Sequence, residues 1–343
     1  MNTKPKKAAR SPKTVNLALQ SGGAHGAFTW GVLDRLLEEE QLTIEGVTAT
    51  GAGAVNASVM AYGLITNRHN ARKLLEKLWK KISHLASLSP FHPTIVDKMM
   101  GNIRLDFSPG FVALDTITRL FSPAQLNVFD INPLRDILLE LVDCERLHHS
   151  KALKLFINAT NVRNGRSKVF HGSELTIDMV LASACLPFIF KTVEIAGESY
   201  WDGGYSSYPA ISPLLYDCKS TDTVIIQVNP SEVEEVPLKA SDIMDRVNEM
   251  TFSGTLSREL HSILLINQLI EQGKLTGTHY RPIRFHAIEA GDILSSLGRA
   301  SKMNADWSFL TYLRDAGRQT ANDWLDRHYD AIGVKSSVDG LTL

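Results

Sequence analysis

Twice near the N-terminus a short apolar run stops at a cluster of small residues, and helical spacing begins at once. "TVNLALQ" (Thr14–Gln20) reaches Ser21-Gly22-Gly23 and is followed by Phe28, Val32, Leu33, Leu36 and Leu37, with Asp34, Arg35 and Glu38–Glu40 on the opposite face. "IEGVTAT" then runs into a tight turn at residues 49–53 and the small-residue stretch "AVNASVMAYGLI". Strand, glycine turn and helix in immediate repetition require parallel strands joined by helical crossovers. The expected fold class is therefore α/β.

"LKLFINATNV" and "TVIIQVN" read as further strands, and Arg281–Ala287 as an edge strand. Between the first two lies "KVFHGSELTIDMVLASACLPFIFKTVEIAGESYWDGG", which reads as helix, proline break, strand and loop. Residues 71–82 predict an amphipathic helix, with Leu74, Leu75, Leu78, Trp79 and Ile82 opposite a basic face. Residues 86–130 are richer in Ser, Pro, Phe and Gly and less periodic, as in a lid. After about Ala240 the pattern is helical almost to the end. The expected organisation is a disordered basic tail at 1–13, an α/β core at 14–235 and a mainly helical region at 236–343.

Composition narrows the function classes. With 36 Lys and Arg against 37 Asp and Glu, the formal charge of −1 provides no whole-molecule attraction to nucleic acid or anionic lipid. Cys144, Cys185 and Cys218 are too few and too dispersed for a disulfide framework or a zinc site, which favours a reducing, cytoplasmic setting. No apolar run reaches the ~18 residues of a membrane span. Neither a metal nor a cofactor is expected, and there is no D-x-[DN]-x-[DN]-G calcium loop.

Three segments carry chemistry. In "LQSGGAHGAF" (Leu19–Phe28) small residues leave backbone N–H groups free to converge at a helix start, a nest for phosphate or for the oxyanion of an acyl intermediate, or simply a tight turn. It lacks the first glycine of a dinucleotide loop and the Gly-Lys-Ser/Thr of a Walker loop. The turn Ala49-Thr50-Gly51-Ala52-Gly53 has the smallness of a G-x-S-x-G nucleophile elbow without its serine. In "YWDGGYSSYPA", Asp202 precedes Gly203 and Gly204 at a loop. His25 is read as a solvent-facing loop residue.

Together, Ser21-Gly22-Gly23-Ala24-His25-Gly26, Ala49–Gly53 and Asp202-Gly203-Gly204 resemble, in order and spacing, the three signatures of patatin-like phospholipases. The resemblance spans roughly residues 14–230. It implies a three-layer α/β/α sandwich with a mostly parallel central sheet, here followed by a helical C-terminal part. It also implies carboxylic-ester hydrolysis of a lipid substrate by a Ser–Asp dyad without cofactor or metal. Asp202 would be the proton acceptor, the amides of Gly22, Gly23 and Ala24 the oxyanion hole, and Gly51 the nucleophile position. Ser21, Gly26, Ala49, Gly53, Gly203 and Gly204 would support the motifs. Contact with a membrane surface or lipid granule fits such a substrate.

Three positions depart from the family pattern. Ser21 and Ala49 each replace a glycine. Gly51 replaces the nucleophile, so the chain is expected to fold but to be nearly inactive. The intact surroundings favour an inactivating substitution. A natural pseudoenzyme serving as a lipid-binding or interaction module is the second reading, and a nucleophile relocated to Ser21, Ser183 or Cys185 the third.

Overall fold

The computed structural model describes residues 10–87, 122–127, 130–229, 236–238, 240–275, 281–295, 297 and 299–338. Most of the lid expected at 86–130 and most of the basic tail lie outside them. Arg10 is docked: its guanidinium pairs with Glu39 at 2.5 Å and Asp326 at 2.8 Å, and it lies over the Tyr329 ring.

Eight strands form one sheet in the order β5-β6-β3-β2-β1-β7-β8, with β4 also on β3. They are β1 (Lys13–Leu19), β2 (Leu42–Ala49), β3 (Lys154–Asn161), β4 (Ser167–His171), β5 (Val193–Ile195), β6 (Glu198–Asp202), β7 (Asp222–Gln227) and β8 (Arg284–Glu289). β3, β2, β1, β7 and β8 pair in parallel, β4 and β6 run antiparallel to β3, and β5 pairs antiparallel with β6. β7 is buried along its whole length and β3 at every residue but its first, as strands covered on both faces must be.

Alternation along the strands divides the interior into two apolar layers. Val15, Leu17, Leu19, Val224 and Ile226 face helices α1 (Gly26–Glu38), α2 (Ala52–Leu64) and α3 (Arg68–Ser87). α4 (Pro133–Leu141) and α5 (Ile177–Ser183) complete that layer beside β3. Ala18, Ile225, Phe285 and Ala287 face the opposite layer, where Ile211 packs with Leu256, Leu260 and Ile263 of helix α6 (Ala240–Glu271). The fold is a three-layer α/β/α sandwich. On α3, Leu75, Leu78 and Trp79 are buried, and the basic face is ion-paired through Lys77 and Lys81 to Glu140 and through Arg72 to Asp34 and Glu38.

The segment beyond residue 235 builds the same core. β8 pairs with β7 from Asp222↔Arg284 to Gln227↔Glu289. Helix α7 (Trp307–His328) lies along α1, and two glycines set how close they come. A Cβ on Gly31 would collide with the Arg314 backbone, and one on Gly317 with the Phe28 carbonyl. Among the described residues no helix is long and apolar enough to cross a membrane, and no group of His, Cys, Asp and Glu could hold a metal ion.

Candidate active site

The sheet register brings the three segments together. β2 pairs with β3 as far as Ala49↔Ile157, while β4 occupies the other edge of β3 from Phe156 to Thr160. β6 also pairs with β3, at Ala159↔Asp202 and Thr160↔Trp201, so it must lie on the edge that β2 has just vacated. Asp202 therefore ends its strand beside the end of β2. β1 is in parallel register with β2, Leu19 opposite Ala49, so the glycine loop after β1 leaves the sheet at the same level.

Gly51 caps α2 at φ 58° and ψ −126°, a conformation open to glycine and strained for other residues. Its N–H donates to Ser183 Oγ at 3.1 Å. Thr50 donates its N–H to the Leu19 carbonyl and its hydroxyl to Asn158 Oδ1, and Asn158 Nδ2 donates to the carbonyls of Gly203 and Ser207. Asn158 thus clamps the turn of residue 51 to the turn of residue 202. Sequence reasoning missed it, although a wholly buried Asn inside the strand "LFINAT" is a signal that a buried polar partner exists.

The small residues of the motifs have separate steric causes. A Cβ on Gly53 would sit 2.7 Å from the carbonyl oxygens of both Leu19 and Gln20. One on Gly26 would sit 2.8 Å from Ala52 Cβ, where α1 and α2 begin side by side. Gly203 faces the Asn158 backbone, and Ala49 is wholly buried. Gly23 has φ 58°, with the Lys302 carbonyl 2.5 Å from where its Cβ would be. Among the described residues, no hydrogen bond uses the N–H of Gly22, Gly23 or Ala24.

Asp202 is 1% exposed. Oδ1 accepts from the Gly204 N–H at 2.8 Å and Oδ2 from the Ser21 hydroxyl at 3.4 Å. Burial pushes its pKa up to about 7, against the opposing effect of these two hydrogen bonds. The side-chain site of residue 51 is within reach: an ideal Cβ on Gly51 would be 3.0 Å from Asp202 Oδ2. That site is filled, because the same Cβ would overlap Oγ and Cβ of Ser21. Ser21 is half-buried, and its carbonyl accepts from Asn229 Nδ2 at 2.8 Å and from the Tyr208 hydroxyl.

The other candidates lie differently. His25 is buried, not solvent-facing. Its Nε2 meets Ser301 Oγ at 2.7 Å, and burial, then the Lys302 charge, lowers its pKa to about 3. The loop is covered by a segment nearly 280 residues further along the chain, which local sequence does not reveal. Ser183 is wholly buried and engaged with Gly51. The buried Cys185 thiol is pushed up to about 12 and donates to the Lys191 carbonyl at 3.0 Å, so it stays protonated and inert. A cavity of about 300 Å³ is lined by Arg135, Asp178, Phe190 and Glu194 among others, and by none of Ser21, Gly51 and Asp202.

Among solved structures, the chain is similar to VipD from Legionella pneumophila at 16% identity, covering 96% of this chain and 72% of that one, with a TM-score of 0.44. It is also similar to the ExoU–SpcU complex of the Pseudomonas aeruginosa type III secretion system, at 15% identity, 96% and 65% coverage and a TM-score of 0.31. Comparison with curated protein sequences gives no match. The family model for patatin-like phospholipase matches residues 17–215, a span that holds Ser21, Gly51 and Asp202. This chain belongs to the patatin-like phospholipase family.

Proposed function

We propose that the chain is a lipid acyl hydrolase by construction, with Asp202 as proton acceptor and the amides of Gly22, Gly23 and Ala24 as oxyanion donors. Residue 51 stands where the attacking hydroxyl of the family would be carried. With glycine there, the acyl-enzyme route through residue 51 has no starting atom. The observation that carries this reading is the buried carboxylate oxygen 3.0 Å from the Cβ site of residue 51. A carboxylate held there accepts the proton of an attacking hydroxyl and returns it to the leaving alcohol. Amides in the adjoining loop, without an acceptor among the described residues, would take up the negative charge of the tetrahedral intermediate. The apolar acyl chain of a lipid ester is the substrate class that the family implies.

The test must respect the occupied space. Gly51→Ser alone forces a second side chain onto Ser21, so the informative variant is Ser21→Gly/Gly51→Ser. It should hydrolyse p-nitrophenyl esters of medium chain length, and Asp202→Asn in that background should lower turnover by about 10⁴-fold. No Asp202-dependent hydrolysis in a folded double variant would leave the lipid-binding module as the better reading.

A further inference from the structure

We infer that Ser21 carries the nucleophilic hydroxyl of this chain, in place of the side chain that residue 51 lacks. The inference rests on the hydrolase reading above and names the group that performs its first step. Two departures from the family motif, a serine at the first glycine of the loop and a glycine at the nucleophile, are reciprocal in space. The Ser21 side chain occupies the volume in which a side chain on residue 51 would begin, and its Oγ is the hydroxyl hydrogen-bonded to Asp202 Oδ2. The site has lost no hydroxymethyl group. It receives that group from β1's loop rather than from β2's turn.

Several features separate a working nucleophile from a space filler. Ser21 is half-buried whereas Asp202 is enclosed, so the residue that carries the hydroxyl keeps some contact with solvent while its base does not. The backbone of Ser21 is held by hydrogen bonds to its carbonyl from Tyr208 and Asn229, and Gln20 is anchored by the N–H groups of Val228 and Asn229. The next amides along the chain, Gly22 and Gly23, have no acceptor among the described residues. The 3.4 Å separation from Asp202 is long for a hydrogen bond, as is common for nucleophile–base pairs before substrate binds.

The chemistry balances with water as the only co-reactant. Ser21 Oγ forms a bond to the ester carbonyl carbon as its proton passes to Asp202 Oδ2, and the carbonyl π pair moves to oxygen. Collapse breaks the bond to the alkoxy oxygen, which leaves with the proton from Asp202. Water then attacks the Ser21 acyl ester, giving its proton to Asp202. Expulsion of Ser21 Oγ, which takes that proton back, releases the carboxylic acid.

The experiment treats the full chain with an alkyl fluorophosphonate and maps the adduct by tandem mass spectrometry, alongside p-nitrophenyl butyrate hydrolysis. Comparison proteins are Ser21→Ala, Ser21→Gly, Asp202→Asn and Ser21→Gly/Gly51→Ser, with circular dichroism as the folding control. The native chain should be phosphonylated at Ser21. Both Ser21 variants should lose label and lose hydrolysis by about 10⁴-fold or more. The double variant should carry label at position 51. A native chain that is unlabelled, or labelled at Ser183 or Cys185, overturns the inference even if Ser21→Gly proves unstable. In that case a labelled double variant leaves the hydrolase reading standing, and an unlabelled, folded one removes both.

Discussion

Ser21 and Gly51, which begin the turns after neighbouring parallel strands, share the volume of a single side chain beside Asp202. An ideal Cβ on Gly51 overlaps Ser21, and Ser21 Oγ is 3.4 Å from the carboxylate that such a side chain would also reach. Neither position can be understood or altered alone.

That sharing predicts a non-additive mutant cycle. Gly51→Ser places a non-glycine residue at φ 58°, costing about 1–3 kcal/mol, and adds an overlap with Ser21. Ser21→Gly removes the overlap but not the strain. The double variant should therefore exceed the stability expected from the two singles by at least about 0.5 kcal/mol in urea unfolding. Additive values would show that the two side chains do not compete.

Asp202 sets a pH dependence with a definite sign. Its folded pKa of about 7 lies above the ordinary 3.8, so the native state keeps a proton that the unfolded chain has released. Stability from this group is fully present below pH 3.8 and is lost as pH rises toward 7. Asp202→Asn should flatten that decline, read from urea midpoints between pH 4 and 8. Hydrolysis should change the opposite way, rising with pH to a plateau above about 7 as the base ionises. A pH-independent rate across that window would show that this carboxylate is not the proton acceptor.

His25 contributes in the other direction. With a folded pKa of about 3 against 6.5, it stays neutral while the unfolded chain takes up a proton. Its contribution is complete above pH 6.5 and is lost as pH falls toward 3. His25→Gln, which still offers Ser301 a polar partner, should weaken the dependence of unfolding on acid between pH 6.5 and 4. An unchanged slope would mean that the ring is protonated in the folded state.

The close approach of α1 and α7 is testable at one atom. Gly31→Ala inserts a methyl group into the Arg314 backbone and should destabilise the whole fold by about 1–3 kcal/mol, since backbone cannot yield as a side-chain tip can. A loss below about 0.5 kcal/mol, the level of an ordinary surface change, would rule out this packing.

How much of the site was legible follows from the range of the interactions. The turn at 49–53 and the loop at 21–26 declared themselves because smallness is a local requirement: Gly53 must clear the carbonyls of residues 19 and 20, and Gly26 the start of α2. Asp202-Gly203-Gly204 was visible as a carboxylate at a turn. The burial of His25 was not, because it depends on Ser301 and Phe309, and nothing within ten residues of His25 reports on them. Asn158 was missed because its partners, Thr50 and Gly203, come from two other strands' ends.

The sequence by itself determined the α/β architecture and the three chemical segments, since hydrophobic period, turn residues and motif spacing act over a few residues at a time. Only the tertiary structure decided what the glycine at position 51 means. Whether its missing side chain leaves a gap depends on side chains of different strands meeting in one volume. Strand register, not local sequence, brings Ser21 into that volume and Asp202 beside it.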